Sequence, residues 1–312
     1  MTRSPPPQTN ANAAHGRSAP SRPDWLTRQL ETAQWPDRNK SRLVRAANID
    51  WHVQFFGNTA QPVCLMLHGT GASGHSMGPL ARLFSEDWHV VVPDLPGHGF
   101  TRNATSQQLS LPGMSAALTA LLDALDIRPA NAVGHSAGAA VLLQLSKTGT
   151  LANTNIFGVN SALEQIAGAS ILSPLAKLLF ANPLTPRVFA FQARFGGLSD
   201  RLIRATGSHV PANSMTCYRH LFNTPKHVRG ALGMMAGWDL APLIKDLGTI
   251  ESETLLIAAR DDRMVPARVS KAAAHSLPNG RFLCVQNGGH LVHEEEPQIV
   301  ANLIRETSKA AA

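Results

Sequence analysis

A serine lies between two glycines where a strand pattern gives way to a helix pattern. Residues 134–138 read GHSAG, the form G-x-S-x-G, between the strand pattern NAV and the apolar run AGAAVLLQL. A nucleophile on such a turn projects from a sharp bend, and the N-terminus of the following helix points toward a developing oxyanion. The pattern therefore predicts acyl-transfer chemistry with Ser136 as the nucleophile.

A serine hydroxyl needs a base to take its proton, and the base needs a carboxylate to orient it. Asp261 and Asp262 follow the apolar pattern TLLIAAR, and His290 follows RFLCVQ. Both positions come just after expected parallel strands, where open α/β sheets place their sites. We assign His290 as the base and Asp262, four residues before Pro266, as the acid in preference to Asp261. The alternative is an Asp-Asp pair that only caps the next helix.

The oxyanion of the tetrahedral intermediate requires two backbone donors. In a serine hydrolase of this kind, one donor is the residue after the nucleophile and the other lies in the loop after an earlier strand. Ala137 follows Ser136, and the loop after the strand pattern PVCLMLH reads HGTG, residues 68–71. We expect the N–H groups of Ala137 and Thr70 to form the oxyanion hole.

The same loop also matches a dinucleotide-binding fingerprint. Residues 69–74 have the form G-x-G-x-x-G, and Asp94 ends the next strand pattern twenty residues after Gly74. That hypothesis leaves the GHSAG turn, the loop of Asp262 and the GGH stretch without a role. The hydrolase hypothesis uses the same glycines as an oxyanion loop and is the one we favour.

Strand and helix patterns alternate along most of the chain. Residues 42–57 read as two short strands joined by a turn at Ala47 and Asn48, and buried strands then alternate with apolar helices, which predicts a doubly wound α/β sheet. We divide the chain into a basic mobile tail (1–40), a first core part (41–160), a helical cap insertion (161–247) and a second core part (248–312).

The net charge of +7 is concentrated in two segments. Residues 1–45 and 161–247 each carry +5, whereas 46–160 carry −2 and 248–312 carry −1. Because basic residues do not cover the whole chain, we expect no nucleic-acid partner. The basic cap favours an anionic ligand or an acidic partner.

Several features bear on location and bound groups. The N-terminus lacks the apolar stretch of a secretory signal, and no run reaches the roughly 18 apolar residues of a membrane span, so we expect a cytoplasmic protein without a transmembrane segment. Cys64, Cys217 and Cys284 are far apart and predict neither a disulfide framework nor a zinc site, and Cys64 and Cys284 lie in patterns of buried strands. The HLVHEEE stretch matches no metal-ligand spacing, and we expect no metal and no cofactor.

Longer stretches resemble one branch of the α/β-hydrolase superfamily. They are LMLHGTGASGHSM, VVVPDLPGHGFTRNA, LSLPGMSAAL, NAVGHSAGAAVL, HVRGALGMMAGWDL and GGHLVHEEEP. Over about residues 42–308 the chain closely resembles the magnesium-chelatase accessory proteins of bacteriochlorophyll biosynthesis. The resemblance implies an α/β-hydrolase fold, with a mostly parallel central sheet, helices on both faces and an inserted helical cap. It also implies a role near magnesium insertion into protoporphyrin, with magnesium chelatase as a partner and a place at the periphery of the photosynthetic membrane.

The cap has the residue types needed to bind a flat apolar molecule with carboxylates, such as a porphyrin. Apolar side chains recur through 171–180 and 188–195. As candidate substrate-binding residues we name His75 of the SGHSM stretch and four interleaved arginines: Arg187, Arg194, Arg201 and Arg204. The alternative is a set of amphipathic helices packed on the core with their charges outward.

Two classes of function remain open. The first is a serine hydrolase that uses the triad on an ester or related acyl bond. The second is an accessory protein that keeps the hydrolase fold to hold or deliver a tetrapyrrole, with the triad idle. A general serine esterase unrelated to pigment synthesis is a variant of the first.

Overall fold

The computed structural model describes residues 23–164, 182, 184–195 and 197–310. A sheet of eight strands runs through this part of the chain. The strands are β1 (Ser41–Ala46), β2 (Ile49–Phe56), β3 (Val63–Leu67), β4 (His89–Pro93), β5 (Asn131–His135), β6 (Asn155–Val159), β7 (Thr254–Ala259) and β8 (Gly280–Val285).

The strand order is β1-β2-β4-β3-β5-β6-β7-β8. The hairpin of β1 and β2 turns at Ala47 and Asn48, both with positive φ, and pairs antiparallel with β4. The pairs from β4 to β8 are all parallel, so their carboxyl ends meet at one edge of the sheet. The mostly parallel sheet predicted from the sequence is confirmed.

Helices connect the strands and cover both faces of the sheet. They are α1 (Asp24–Thr32), α2 (Gly74–Phe84), α3 (Leu111–Leu125), α4 (Ala137–Lys147), α5 (Thr185–Phe195), α6 (Leu198–Ala205), α7 (Ala212–Phe222), α8 (Pro225–Gly237), α9 (Ala241–Lys245), α10 (Ala267–Ser276), α11 (Val292–Glu295) and α12 (Pro297–Ala310). Short 3-10 turns lie at Arg38–Lys40, Gln107–Leu109 and Leu247–Thr249. None of the helices described is long and apolar enough to cross a membrane.

Two cores result from the alternation of side chains along each strand. In β3, Leu65 and Leu67 join residues of α3, α4 and α10 in one buried cluster. Cys64 and Met66, on the other face of the same strand, join residues of α2 and α12. Because both faces of the central strands are covered, these strands read as continuous apolar runs.

The N-terminal segment holds more structure than a tail. Within the predicted tail of residues 1–40, α1 buries Leu26 and Leu30, and Trp35 follows it into the same cluster. That cluster is completed by residues far along the chain, including Phe100 and Leu221. The residues up to about Trp25 show no apolar period, and the prediction extended the tail past them to residue 40, although Leu26 and Leu30 have helical spacing. Residues 1–22 lie outside the described residues.

Strand β8 is not buried as its sequence suggested. It forms the edge of the sheet, and Cys284 on it is exposed, whereas Cys64 and Cys217 are buried. Between β6 and β7 the regular elements that the structure describes are α5 to α9 and the turn at Leu247–Thr249. The predicted apolar positions 171–180 of the cap lie outside the described residues.

Candidate active site

Ser136 occupies a strained turn between β5 and α4. Its φ and ψ are 52° and −117°, values that non-glycine residues rarely adopt, and its N–H donates to the Val159 carbonyl at 2.9 Å. Glycines make the turn possible: a Cβ on Gly138 would stand 2.5 Å from the Leu67 carbonyl oxygen, and one on Gly134 would stand 2.6 Å from the Ala139 nitrogen. The local sequence thus holds the serine at the carboxyl edge of the sheet.

Asp262 and His290 meet at the same edge. His290 Nδ1 donates to Asp262 Oδ2 at 2.8 Å, which leaves Nε2 as the ring nitrogen available to a serine. The second carboxylate oxygen, Oδ1, accepts from the N–H groups of Met264 at 2.7 Å and Val265 at 2.9 Å. Because these bonds fix the carboxylate, it can hold the imidazole in one orientation.

The neighbouring carboxylate points elsewhere. The Asp261 side chain is 56% exposed and lies 3.3 Å from Arg260 Nε, whereas the Asp262 side chain is fully buried. Of the two, only Asp262 contacts His290 in the structure. Ser136 Oγ makes no hydrogen bond to His290 within the described residues. The hydrogen bond through which the histidine would take the serine proton is therefore not formed in this structure.

The loop of His290 is hydrogen-bonded to the ends of β5 and β6. The His290 carbonyl oxygen accepts from His135 Nε2 at 2.9 Å and from Asn160 Nδ2 at 2.8 Å. His135 directly precedes the nucleophile, and the His135 and His290 ring centroids are 4.7 Å apart. His135 therefore links the loop of His290 to the turn of Ser136. Sequence analysis did not identify this link.

The glycine-rich loop after β3 lies against the nucleophile. A Cβ on Gly69 would stand 2.9 Å from Ser136 Cβ, so this approach requires glycine. Within the described residues, neither the Thr70 N–H nor the Ala137 N–H donates a hydrogen bond. Two backbone donors near the serine are thus available to an oxyanion, as the oxyanion-hole hypothesis requires.

Comparisons with known proteins identify the family of this chain. Residues 62–297 match the family model described as the alpha/beta hydrolase fold. The chain belongs to the α/β-hydrolase family. The magnesium-chelatase 30 kDa subunit of Rhodobacter capsulatus is 41% identical over 268 residues, which cover 84% of this chain and 92% of that protein. The resemblance to magnesium-chelatase accessory proteins of α/β-hydrolase fold is therefore confirmed.

More distant relatives of this α/β-hydrolase-family protein have names of esterases. The pimeloyl-[acyl-carrier protein] methyl ester esterase of Xanthomonas campestris is 26% identical over 77% of this chain and 91% of its own length. Among solved structures, a thermophilic esterase from Thermogutta terrifontis aligns with a TM-score of 0.66 at 18% identity, over 86% of this chain and 98% of that chain. The structural match concerns the fold alone.

A second Ser-His-Asp chain in this α/β-hydrolase-family protein lies away from the triad. His52 Nδ1 is 2.7 Å from Asp94 Oδ2, and His52 Nε2 is 2.9 Å from Ser41 Oγ. All three side chains are fully buried, so no substrate reaches this serine. Triad-like distances alone do not identify an active site: Ser41 has no exposed surface, whereas Ser136 is 9% exposed.

The surroundings of Asp94 argue against the dinucleotide-binding hypothesis. It is fully buried and accepts from the N–H groups of Gly74 at 2.7 Å and Phe100 at 2.8 Å, besides His52. Burial raises the pKa of a carboxyl group, but the charge and hydrogen bonds of His52 outweigh burial and lower the pKa of Asp94 well below its ordinary value. This carboxylate is committed to the fold and cannot bind a ribose.

His227 joins the cap to the oxyanion loop. Its Nε2 donates to the Gly71 carbonyl at 3.1 Å, and its Nδ1 accepts from the Gly99 N–H at 3.1 Å. Burial lowers the pKa of His227 to about 4, so the ring is neutral, as these two bonds require. The sequence analysis did not single out His227, although it lies in the motif HVRGALGMMAGWDL. Its contacts with the stretches HGTG and GHG explain why these three stretches belong together.

The HLVHEEE stretch contributes to a buried hydrogen-bond network. Glu294 Oε1 accepts from Ser76 Oγ at 2.5 Å and from the hydroxyl of Tyr218, on cap helix α7, at 2.6 Å. Burial raises the pKa of Glu294 to about 6, although both hydrogen bonds act to lower it. His293 Nε2 lies 2.7 Å from Ser76 Oγ. These side chains attach the cap to the core.

The remaining candidate substrate residues are one buried histidine and four exposed arginines. His75 is 3% exposed, lies 2.8 Å from Ser73 Oγ, and packs edge-on against Trp35 and Tyr218, so little of its surface can meet a substrate. The four cap arginines are all exposed: Arg187, Arg194, Arg201 and Arg204. The structure does not bury them in a pocket, and their role stays a prediction.

Proposed function

We propose that this protein is a serine hydrolase for an ester or related acyl bond and that it works as an accessory protein of magnesium chelatase in bacteriochlorophyll biosynthesis. The observation that carries the hydrolase proposal is the 2.8 Å bond from His290 to Asp262 beside the strained turn of Ser136. The 41% identity to a magnesium-chelatase 30 kDa subunit supports the accessory role. We place this role in the cytoplasm, beside the photosynthetic membrane.

The proposed reaction proceeds in two halves. His290 Nε2 takes the proton of Ser136 as Oγ attacks the carbonyl carbon, and the imidazolium formed is stabilised by the Asp262 carboxylate. The N–H groups of Thr70 and Ala137 bind the oxyanion. The imidazolium then gives its proton to the leaving alcohol, and an acyl-enzyme remains. Water, deprotonated by His290, hydrolyses that ester and restores the serine.

The second candidate is a protein that holds or delivers a porphyrin with the triad idle. The absence of a hydrogen bond between Ser136 Oγ and His290 favours this candidate, because an active triad transfers the serine proton through that bond. Open contacts also occur in enzymes that close only around a substrate. Retained protoporphyrin binding without ester hydrolysis would identify this candidate.

Hydrolysis of short p-nitrophenyl esters tests the proposal. We expect activity in the wild-type protein and a loss on the order of a thousandfold or more in Ser136→Ala and His290→Ala. Asp262→Asn should reduce the rate far more than Asp261→Asn, since the exposed Asp261 is the matched control. An inactive wild-type protein, or equal effects of the two Asp substitutions, would contradict the proposed triad.

A further inference from the structure

Three large apolar side chains at cap helix α5 are exposed, although small residues of the same helix are buried. Ala190 and Ala193 are buried, whereas Leu184, Val188 and Phe191 are 57%, 54% and 66% exposed. Surface helices normally place large apolar side chains toward the core. Here the inner side of the helix holds the two alanines and the half-buried Phe189, whose ring packs edge-on against Phe222, while three large apolar residues face outward.

The exposed apolar residues form one stripe. Leu184 directly precedes α5, and the spacings of four and three residues to Val188 and Phe191 place all three on the same side of the helix. We call these three residues the apolar stripe. Such a contiguous group on the surface of a monomer indicates an interaction site.

Cations accompany the stripe and acidic residues do not. Helix α5, TPRVFAFQARF, contains Arg187 and Arg194 and no Asp or Glu. The neighbouring helix α6 adds exposed Arg201 and Arg204, and its one acid, Asp200, is bound by Arg219 at 2.9 Å. Helices α5 and α6 thus carry four arginines against one acid, and Asp200 also interacts with the charge of Arg204.

This combination fits one kind of surface. Side chains such as Phe and Leu can enter the hydrocarbon boundary of a membrane while long arginine side chains keep their guanidinium groups at the level of the phosphates. Anionic lipids attract each cation near the surface. An acidic protein would satisfy the arginines but would not need three large apolar side chains that are more than half exposed on a convex helix.

We propose that α5 and Arg204 of α6 dock the cap onto an anionic lipid surface. The docking surface is the apolar stripe together with Arg187 and Arg204. It reaches beyond the proposed hydrolysis, because docking needs neither Ser136 nor His290. An apolar substrate carried in the membrane would then meet the cap side of the protein.

Sedimentation with vesicles tests this proposal on the full-length chain. The vesicles are phosphatidylcholine alone and phosphatidylcholine with about one-third phosphatidylglycerol. We expect binding to the anionic vesicles at least tenfold tighter than to the neutral ones, with a loss at high salt. Ser136→Ala should bind like the wild-type protein, so failure of the hydrolase proposal and failure of docking are distinguishable.

Two pairs of variants separate the apolar and electrostatic contributions. Val188→Ser with Phe191→Ser should weaken binding about tenfold or more, and Arg187→Gln with Arg204→Gln should weaken it about fivefold for each arginine. The matched controls are Ile299→Ser, 40% exposed on α12, and Arg281→Gln, which is exposed on β8. Both controls should bind like the wild-type protein.

Three results would overturn the proposal. The first is a wild-type protein that ignores anionic vesicles, including the case in which it binds polyglutamate instead. The second is a serine double variant that binds as tightly as the wild-type protein. The third is a loss of binding in an Arg3→Gln, Arg17→Gln and Arg22→Gln variant as large as in the cap variants, since the N-terminal segment would then carry the contact.

Discussion

Asn160 connects the end of β6 to the loop of His290: its Nδ2 donates to the His290 carbonyl at 2.8 Å. The same nitrogen donates to the Gly289 carbonyl at 3.0 Å, and Oδ1 accepts from the Ala259 N–H at 2.7 Å. Asn160 is fully buried and adopts a positive φ of 47°. One amide side chain thus joins β6, β7 and the loop of the base.

We expect Asn160→Asp to reduce kcat/KM about a hundredfold. The substitution replaces the donor by a carboxylate oxygen that faces two carbonyl oxygens, so the loop of His290 must shift. The new negative charge should also move the acid limb of the pH–rate profile to higher pH, a change that a distant structural defect would not cause. Steady-state kinetics from pH 5 to 9 measure both effects.

The matched control is Asn131→Asp, which alters a buried asparagine at the start of β5, the end of the strand away from His135 and Ser136. It should keep the wild-type pH profile. His135→Gln, which retains a donor in the place of Nε2, should keep more activity than His135→Leu. Equal kinetics for His135→Gln and His135→Leu would show that the bond to the His290 carbonyl does not position the base.

His227 gives a second prediction, on the oxyanion loop. His227→Phe keeps a ring but leaves the Gly71 carbonyl and the Gly99 N–H without partners. We expect kcat to fall about tenfold or more with a small change in KM, because a displaced loop weakens binding of the oxyanion more than binding of the ester.

His227→Gln retains the donor to Gly71 and should recover part of the loss, while Lys226→Gln, an exposed neighbour on α8, should have no effect. If His227→Phe raised KM and left kcat unchanged, the histidine would serve substrate binding instead of the oxyanion loop.

The raised pKa of Glu294 predicts how the free energy of unfolding changes with pH. Its pKa in the folded protein is about 6, above the ordinary value of 4.5, so the folded state holds the proton more tightly. This contribution to stability is fully present below pH 4.5 and is lost as the pH rises through 6. The glutamine variant lacks this pH dependence. The free energy of unfolding of Glu294→Gln minus that of the wild-type protein should therefore rise by about 1–2 kcal/mol from pH 4.5 to pH 8.

Urea unfolding at several pH values measures this gain, and the exposed Glu296→Gln is the control that should show none. His75 titrates in the opposite sense. The pKa of His75 is lowered to about 3 by burial, so the stability from its neutral ring is present above pH 6.5 and is lost as the pH falls. A Glu294→Gln difference that stays constant with pH would contradict the raised pKa.

The sequence predicted those parts of the fold that depend on local pattern. Parallel strands with both faces covered read as unbroken apolar runs, and the strand-to-helix turn of Ser136 is marked by its glycines. The positions of Asp262 and His290 followed from the rule that sites lie at the carboxyl ends of parallel strands. Their contact at 2.8 Å agrees with that expectation.

Contacts between distant segments were not predictable in this way. The burial of Trp35 depends on Phe100 and Leu221, and the network of Glu294 depends on Ser76 and Tyr218, which lie far away in sequence. The outward direction of the cap arginines depends on how the cap helices pack, which amphipathic patterns alone leave open. An exposed edge strand such as β8 resembles a buried one until its neighbours are known.

Covalent labelling with a fluorophosphonate, followed by peptide mapping, tests the central claim most directly. The account predicts a single labelled residue, Ser136, and loss of labelling in Ser136→Ala. Ser41→Ala removes the serine of the buried second Ser-His-Asp chain and should label as fully as the wild-type protein. An unlabelled wild-type protein, or a label that persists in Ser136→Ala, would contradict the account.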